Sequence, residues 1–168
     1  ALAYIKLAVN PNDDLSALRA LRATKKGIGK ATIDKVHDLQ RRHGVSIVEA
    51  CARAVDLPTV TRATREALVS FAGLVREVHQ EAEGPAGRLV ERVLQRAGLA
   101  EALRATGTED GALRAENLKV LVEAARDADR RARKKGAGAD GAGARGFLDR
   151  LALMDKQDGN DDVRDRVT

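Results

Sequence analysis

TRATREALVSFAGLVREVHQEAE, residues 61–83, is the stretch that decides the fold. Ala67, Leu68, Phe71, Leu74, Val75 and Val78 recur at three- and four-residue intervals, which places them on one continuous face of a helix with 3.6 residues per turn. A half-buried strand would alternate apolar and polar residues every second position, and this stretch does not. These residues read as core and not as a cofactor box.

The same periodicity extends in both directions. Toward the C-terminus, Gly84-Pro85 breaks the helix, and Leu89, Val90, Val93 and Leu94 stripe the next one up to Gly98. A brief helix from Leu99 to Ala105 leads into Gly107 and Gly111. Residues 112–135 then carry Leu113, Leu118, Leu121 and Val122 on a strongly helical composition. Toward the N-terminus the chain turns at Leu57-Pro58-Thr59. Before that, Ser46-Ile47-Val48-Glu49 forms a capping box, with Val45 and Ala50 placed as its hydrophobic staple. Gly44 closes a helix running from about Lys30 to His43, whose Ile33, Val36 and Leu39 face inward. Asn10-Pro11-Asn12 separates a short apolar helix over residues 1–9 from another capped by Asp13 or Asp14, with Leu15, Leu18 and Leu21 as its expected buried stripe.

No stretch sustains strand alternation, so the expected class is all-α: a multi-helix orthogonal bundle containing a helix-hairpin-helix-like element. Residues 136–146, rich in Gly and Ala, read as a flexible linker. Phe147, Leu148, Leu151 and Met154 make a last amphipathic helix. Residues 155–168 are polar and mostly acidic, expected to be disordered unless paired, and Val163 to Thr168 reads as the start of a strand.

Composition narrows the function. The 168 residues are 43% hydrophobic but only 2% aromatic, so the core must come from Leu, Val, Ile and Ala in closely packed helices. Tyr4, Phe71 and Phe147 are the whole aromatic supply, which excludes a stacking platform for single-stranded bases. The net charge is +5, and its distribution matters more than its size. Arg19, Arg22, Lys25, Lys26, Lys30, Lys35, Arg41 and Arg42 stand against only Asp34 and Asp38 in residues 19–42. A second cluster, Arg130, Arg131, Arg133, Lys134 and Lys135, ends the long helical pattern, and reads first as a solvated helix end. Cys51 is the lone cysteine, so no internal disulfide forms and a reducing compartment is expected. With no signal peptide and no apolar run of membrane-spanning length, the expected location is cytoplasmic, near the nucleoid.

Thr24-Lys25-Lys26-Gly27-Ile28-Gly29-Lys30-Ala31-Thr32 is the stretch that carries chemistry. Glycines at 27 and 29 allow a sharp turn and close approach of bare N–H groups, and the helix starting near Lys30 adds the positive end of its dipole. Lys25, Lys26 and Lys30 would neutralise neighbouring phosphates. Thr24, Lys25, Lys26, Gly27, Ile28, Gly29, Lys30 and Thr32 are therefore the candidate DNA-binding residues. The same residues also fit a plain tight connection whose lysines keep a loop soluble. A nucleotide-binding P-loop does not fit, because Thr24 stands where the first Gly is needed and Ala31 where Ser or Thr must follow the Lys.

No catalytic constellation emerges elsewhere. His37, His43 and His79 lie on separate segments without metal-ligand company, and Ser46 and Ser70 lack a nucleophile-elbow context. Cys51 sits between Ala50 and Ala52 as a small buried hydrophobe. Asp13-Asp14 reads as helix-start capping, and Asp161-Asp162 as adjacent carboxylates that share no helix face.

Taken in order, these residues resemble the 2B subdomain of the UvrD/PcrA/Rep family of superfamily 1 DNA helicases. Ala1 to Leu7 is similar to the helix of the 2A motor domain that precedes the insertion, and Asn10-Pro11-Asn12-Asp13-Asp14 to the family's lead into 2B. Gly27-Ile28-Gly29 followed by Ala31-Thr32 resembles the duplex-contacting hairpin, and Arg114-Ala115-Glu116-Asn117-Leu118 the Arg-x-Glu-Asn-Leu helix. Val167-Thr168 falls where the family chain re-enters 2A. The chain departs from the family's frequent Asn-x-Pro-x-Arg ahead of the hairpin, having Arg22-Ala23-Thr24-Lys25-Lys26 instead. Thr24 is less rigid than Pro, and Lys26 offers a point charge in place of a bidentate fork.

The resemblance implies residues 1–10 as a stump of 2A, 11–135 as the helical 2B core, 136–146 as the linker, 147–155 as a final 2B helix and 156–168 as a return segment toward 2A. It implies double-stranded DNA at a fork or junction, the helicase domains 1A, 1B and 2A, and repair proteins as partners, with no membrane. Without Walker motifs or RecA-like strands, the chain carries no catalytic residues of its own, and ATP and Mg belong to the parent helicase. A helical module for protein docking or autoinhibition, without DNA contact, is the alternative reading.

Overall fold

The computed structural model describes residues 1–23, 28–57, 59–134 and 143–152, and among them the chain is helical with no strand. The all-α class is thus as expected. The elements are α1 (Leu2–Val9), α2 (Asp14–Ala23), α3 (Lys30–His43), α4 (Ile47–Ala52), a 3₁₀ turn (Ala54–Asp56), α5 (Arg62–Gln80), α6 (Ala86–Arg96), α7 (Leu99–Arg104), α8 (Glu109–Lys134) and α9 over residues 143–152. Pro58, Met154, Lys135, residues 136–142 of the expected linker and the return segment lie outside the described residues. Residues 143–146, expected as the end of that linker, instead open α9, with Ala144 and Phe147 buried in the core.

One core runs through the bundle. Leu68, Phe71, Val75 and Val78 of α5 are buried as the periodicity predicts, against Ile5 and Leu7 of α1, Ile47 of α4 and Leu89, Val90 and Val93 of α6. Tyr4 and Phe71 meet edge to face at 6.0 Å, the geometry favoured by opposed ring quadrupoles. Helix α4 packs on α3, α5 and α2, while α8 packs on α6 and α7.

Side-chain caps set the boundaries. The Asp13 carboxylate accepts from the Ser16 amide at 3.0 Å and the Ser16 hydroxyl at 2.6 Å, starting α2. Those hydrogen bonds, the hydroxyl first, hold the Asp13 carboxyl below the usual carboxylate range. Ser46 Oγ accepts from the Glu49 amide at 3.3 Å, one half of the expected capping box, while the Glu49 carboxylate accepts from Arg53 Nε at 3.1 Å, and Gly44 ends α3 in the left-handed region at φ +60°. Two further carboxylates cap helices far away in sequence. Asp14 accepts from the Ile47 amide at 2.7 Å and from Gln40 at 2.5 Å, joining α2 to α4 and α3. Asp129 of α8 accepts from the amides of Ala86 and Gly87, both at 2.9 Å, and so caps α6, which Pro85 leaves without a side-chain cap of its own.

Gly87 makes that approach of α6 to α8 possible. A Cβ there would sit 2.5 Å from Arg126 Cγ and 3.2 Å from the Arg126 backbone.

Two expected stripes are corrected. Of the expected α2 stripe Leu21 is buried and Leu18 partly so, but Leu15 is 63% exposed, and Ser16, Ala17 and Ala20 complete the buried face in its place. Three residues advance a helix by only about 300°, so a strict Leu15, Leu18, Leu21 spacing drifts off one face by about 60° per step. In α8 Leu118, Leu121 and Val122 pack partly buried against the core as expected, but Leu113 is 62% exposed, and Ala115, Ala125, Ala128 and Ala132 supply the fully buried contacts.

Candidate nucleic-acid interface

The candidate hairpin joins α2 to α3, both of which pack on α4. Asp14 at the start of α2 and Gln40 near the end of α3 are bonded to each other, which fixes the two helices that flank the loop. Thr24, Lys25, Lys26 and Gly27 lie outside the described residues. Ile28, Gly29, Lys30 and Thr32 lie within them.

Ile28 is 8% exposed and belongs to the core cluster. The next residue is exposed, so the chain passes from interior to surface in one step. Gly29 is the N-cap of α3, and no side chain caps that helix start. Its carbonyl accepts from the Thr32 and Ile33 amides at 3.0 and 3.1 Å, which closes the first turn. The sequence reading gave both glycines a conformational role. At Gly29, φ −90° and ψ −179° are extended backbone open to any residue. What glycine contributes there is bareness: among the described residues a Cβ would meet nothing within 4 Å, so Gly29 leaves the helix start uncovered by any of them.

Lys30 is exposed and pairs with no acid among the described residues, and the same holds for Arg19 and Arg22. The other cations of the segment are partly engaged. Arg41 bonds Asp38 at 2.6 Å, Arg42 reaches the Asp38 carbonyl at 3.3 Å, and Lys35 donates to the Thr59 carbonyl at 3.0 Å. Within residues 19–42, among the described residues, unpaired positive charge is therefore found on α2 and the first turn of α3. Such a site holds an anion through main-chain N–H groups, the helix dipole and point charges.

The remaining candidates have structural roles. His79 donates from Nδ1 to the Ala8 carbonyl at 2.7 Å, and His37 Nδ1 lies 3.2 Å from Gln40 Oε1. Cys51 is fully buried, and burial pushes its thiol up to about 12, the opposite of an activated nucleophile. Among the described residues no three His, Cys, Asp or Glu side chains are grouped to hold a metal, and no helix is long and apolar enough to cross a membrane. Sequence reasoning missed the distant caps Asp14 and Asp129, for which no short-range signal exists.

Among the described residues the chain is thus a helical bundle whose α3 start is exposed, with Lys30, Arg19 and Arg22 exposed on that helix start and on α2. The model of the UvrD-like helicase C-terminal domain matches residues 1–168, and the chain belongs to that family. ATP-dependent DNA helicase PcrA of Staphylococcus aureus is 28% identical over 127 residues, covering 75% of this chain and 17% of the relative. DNA helicase II of Escherichia coli is 32% identical over 127 residues, covering 75% of this chain and 18% of the relative. The chain therefore spans 17–18% of the length of these relatives.

Proposed function

We propose that this chain is the 2B accessory subdomain of a UvrD-like DNA helicase. It contacts the duplex backbone through residues 24–32 and regulates ATP-driven unwinding by the parent motor. The observation that carries the reading is the uncapped, open start of α3 at Gly29, held in place by buried Ile28 and flanked by the free charge of Lys30. Backbone N–H groups of the hairpin would hold a phosphate while Lys25, Lys26 and Lys30 neutralise its neighbours. The contact reads no base edge, so it is independent of DNA sequence.

The residues present do not fit a nucleotide and magnesium site, since Gly29-Lys30 lacks P-loop spacing, with Thr24 in place of the first Gly and Ala31 in place of Ser or Thr. ATP and Mg are assigned to the parent's motor domains. Domains 1A, 1B and 2A and duplex at a fork or junction are the proposed partners, with repair proteins beyond them. Residues 11–135 and 147–155 form the module in this reading, and 1–10 and 156–168 join it to 2A.

The test is a titration of the chain against a short fluorescent duplex and the matching single strand across salt. With about four phosphates neutralised at the hairpin, its share of the slope of log affinity against log salt is near −3.6, at roughly 0.9 per phosphate. Lys25→Glu, Lys26→Glu, Lys30→Glu together should abolish that binding. A flat salt response, or a variant that binds like wild type, removes the DNA reading and leaves protein docking or autoinhibition.

A further inference from the structure

We propose that the C-terminal end of α8 is a second nucleic-acid backbone contact, made by Arg131, Arg133 and Lys134. This deepens the duplex-binding reading and rests on it. Up to residue 130, the cations of α8 are paired: Arg114 with Asp110 at 2.9 Å, Lys119 with Glu116 at 2.8 Å, Arg126 with Glu123 and Glu91 at 2.6 and 3.2 Å, and Arg130 with Asp127. Beyond Arg130 the pairing stops. Arg131, Arg133 and Lys134 are exposed and meet no acid among the described residues.

Helix geometry spreads this charge. At about 100° per residue, Arg130, Arg131, Arg133 and Lys134 fan across roughly 160° of the helix, opposite buried Ala128 and Ala132. Arg88 and Arg145, exposed and unpaired among the described residues, add to the same end of the molecule, where Gly143 abuts Gly84 ahead of α6. The acids there are mostly committed. Asp129 caps α6, Asp127 holds Arg130 and Glu91 holds Arg126, which leaves Glu83 beside Arg133 and Asp149 on α9.

The absence of an apolar centre selects the partner. Stable protein interfaces bury an apolar core and keep cations at the rim. The large exposed apolar side chains of the described residues are Leu2, Leu15, Val55, Val69, Leu113 and Val120, none of them at this end. Val120, the last of them on α8, is about 16 Å of helix away from Arg131. Cations without an apolar centre match a row of phosphates, where arginine forks bind two oxygens and counterion release drives association.

The experiment measures anisotropy of a short fluorescent duplex with the 168-residue chain between about 50 and 200 mM salt. The test variant is Arg131→Gln, Arg133→Gln, Lys134→Gln, which keeps helix propensity. A control, Arg104→Gln, Arg114→Gln, Lys119→Gln, removes the same charge elsewhere, and circular dichroism checks that each remains helical. The expected result is a salt slope shallower by up to about 2.7 for the test variant, at 0.9 per phosphate, with the control unchanged. Equal loss in the control overturns the proposal as a general charge effect. A test variant that binds like wild type while the hairpin triple variant fails also overturns it, leaves the hairpin reading intact and passes the cluster to an acidic protein. If hairpin and α8 variants both bind like wild type, both readings fall.

Discussion

Truncating one carboxylate should loosen the junction of α6 and α8 by a calculable amount. Asp129 is 9% exposed and accepts two 2.9 Å bonds from the amides of Ala86 and Gly87, which are themselves buried. Asp129→Ala leaves both N–H groups without a partner where water reaches them poorly, at about 1–3 kcal/mol each. Partial entry of water into the vacated space favours the lower part of that range, giving about 3 kcal/mol in all. Asp129→Asn keeps one acceptor oxygen and should cost about half as much. In urea, with a slope of about 2 kcal/mol/M for a chain of this size, the midpoints fall by about 1.5 M and 0.7 M. Asp127→Ala, two residues away in an exposed pair with Arg130, is the internal control and should stay within about 0.5 kcal/mol of wild type. If Asp129→Ala also stays within that margin, or if Asn costs as much as Ala, the two bonds do not act as separate caps and the reasoning fails.

Gly87→Ala should destabilise by about 1–2 kcal/mol despite alanine's better helix propensity, because the new methyl meets the Arg126 backbone at 3.2 Å; a urea midpoint above wild type would show that α8 yields freely. Gly29→Ala should cost at most about 1 kcal/mol of stability, since its backbone is ordinary and its surroundings open, yet lower duplex affinity several-fold in the anisotropy assay. Unchanged affinity would move the phosphate away from residue 29. Cys51 should resist alkylation until the chain unfolds. Its folded thiol is raised from an ordinary 9.0 to about 12, so the unfolded state loses its proton first and stability present below pH 9 is lost as pH rises toward 12. Comparison with Cys51→Ala across that window isolates this effect, and parallel curves would refute it.

Local chemistry was legible in the sequence to the extent that it is local. The α5 face, the Ser46 cap and the Gly44 stop each involve residues within a few positions, and each appears in the structure. The burial of Cys51 followed from its alanine neighbours. Leu15 and Leu113 misled because leucine is apolar wherever it lies, whereas burial depends on which face a neighbour covers. In both helices alanines supply much of that face, and their small side chains mark close approach but look unremarkable in a string of residues. The caps from Asp14 to Ile47 and from Asp129 to Ala86 span 33 and 43 residues, and no spacing rule reaches that far. At the candidate site, the loop and its charges were visible in sequence. The inward turn of Ile28 was not, since nothing adjacent distinguishes a buried isoleucine from an exposed one.

That inward isoleucine bears on how such a loop can change over time. With Ile28 buried as a tether and Gly29 and Lys30 exposed just after it, a substitution at the tether disturbs the core, whereas one at the exposed start of α3 leaves the core in place. In the proposed duplex-binding role, exchange of lysine for arginine would alter grip strength without giving the loop any means of preferring one base pair over another. In that proposed role the contact is one that drift can strengthen or weaken but cannot make selective.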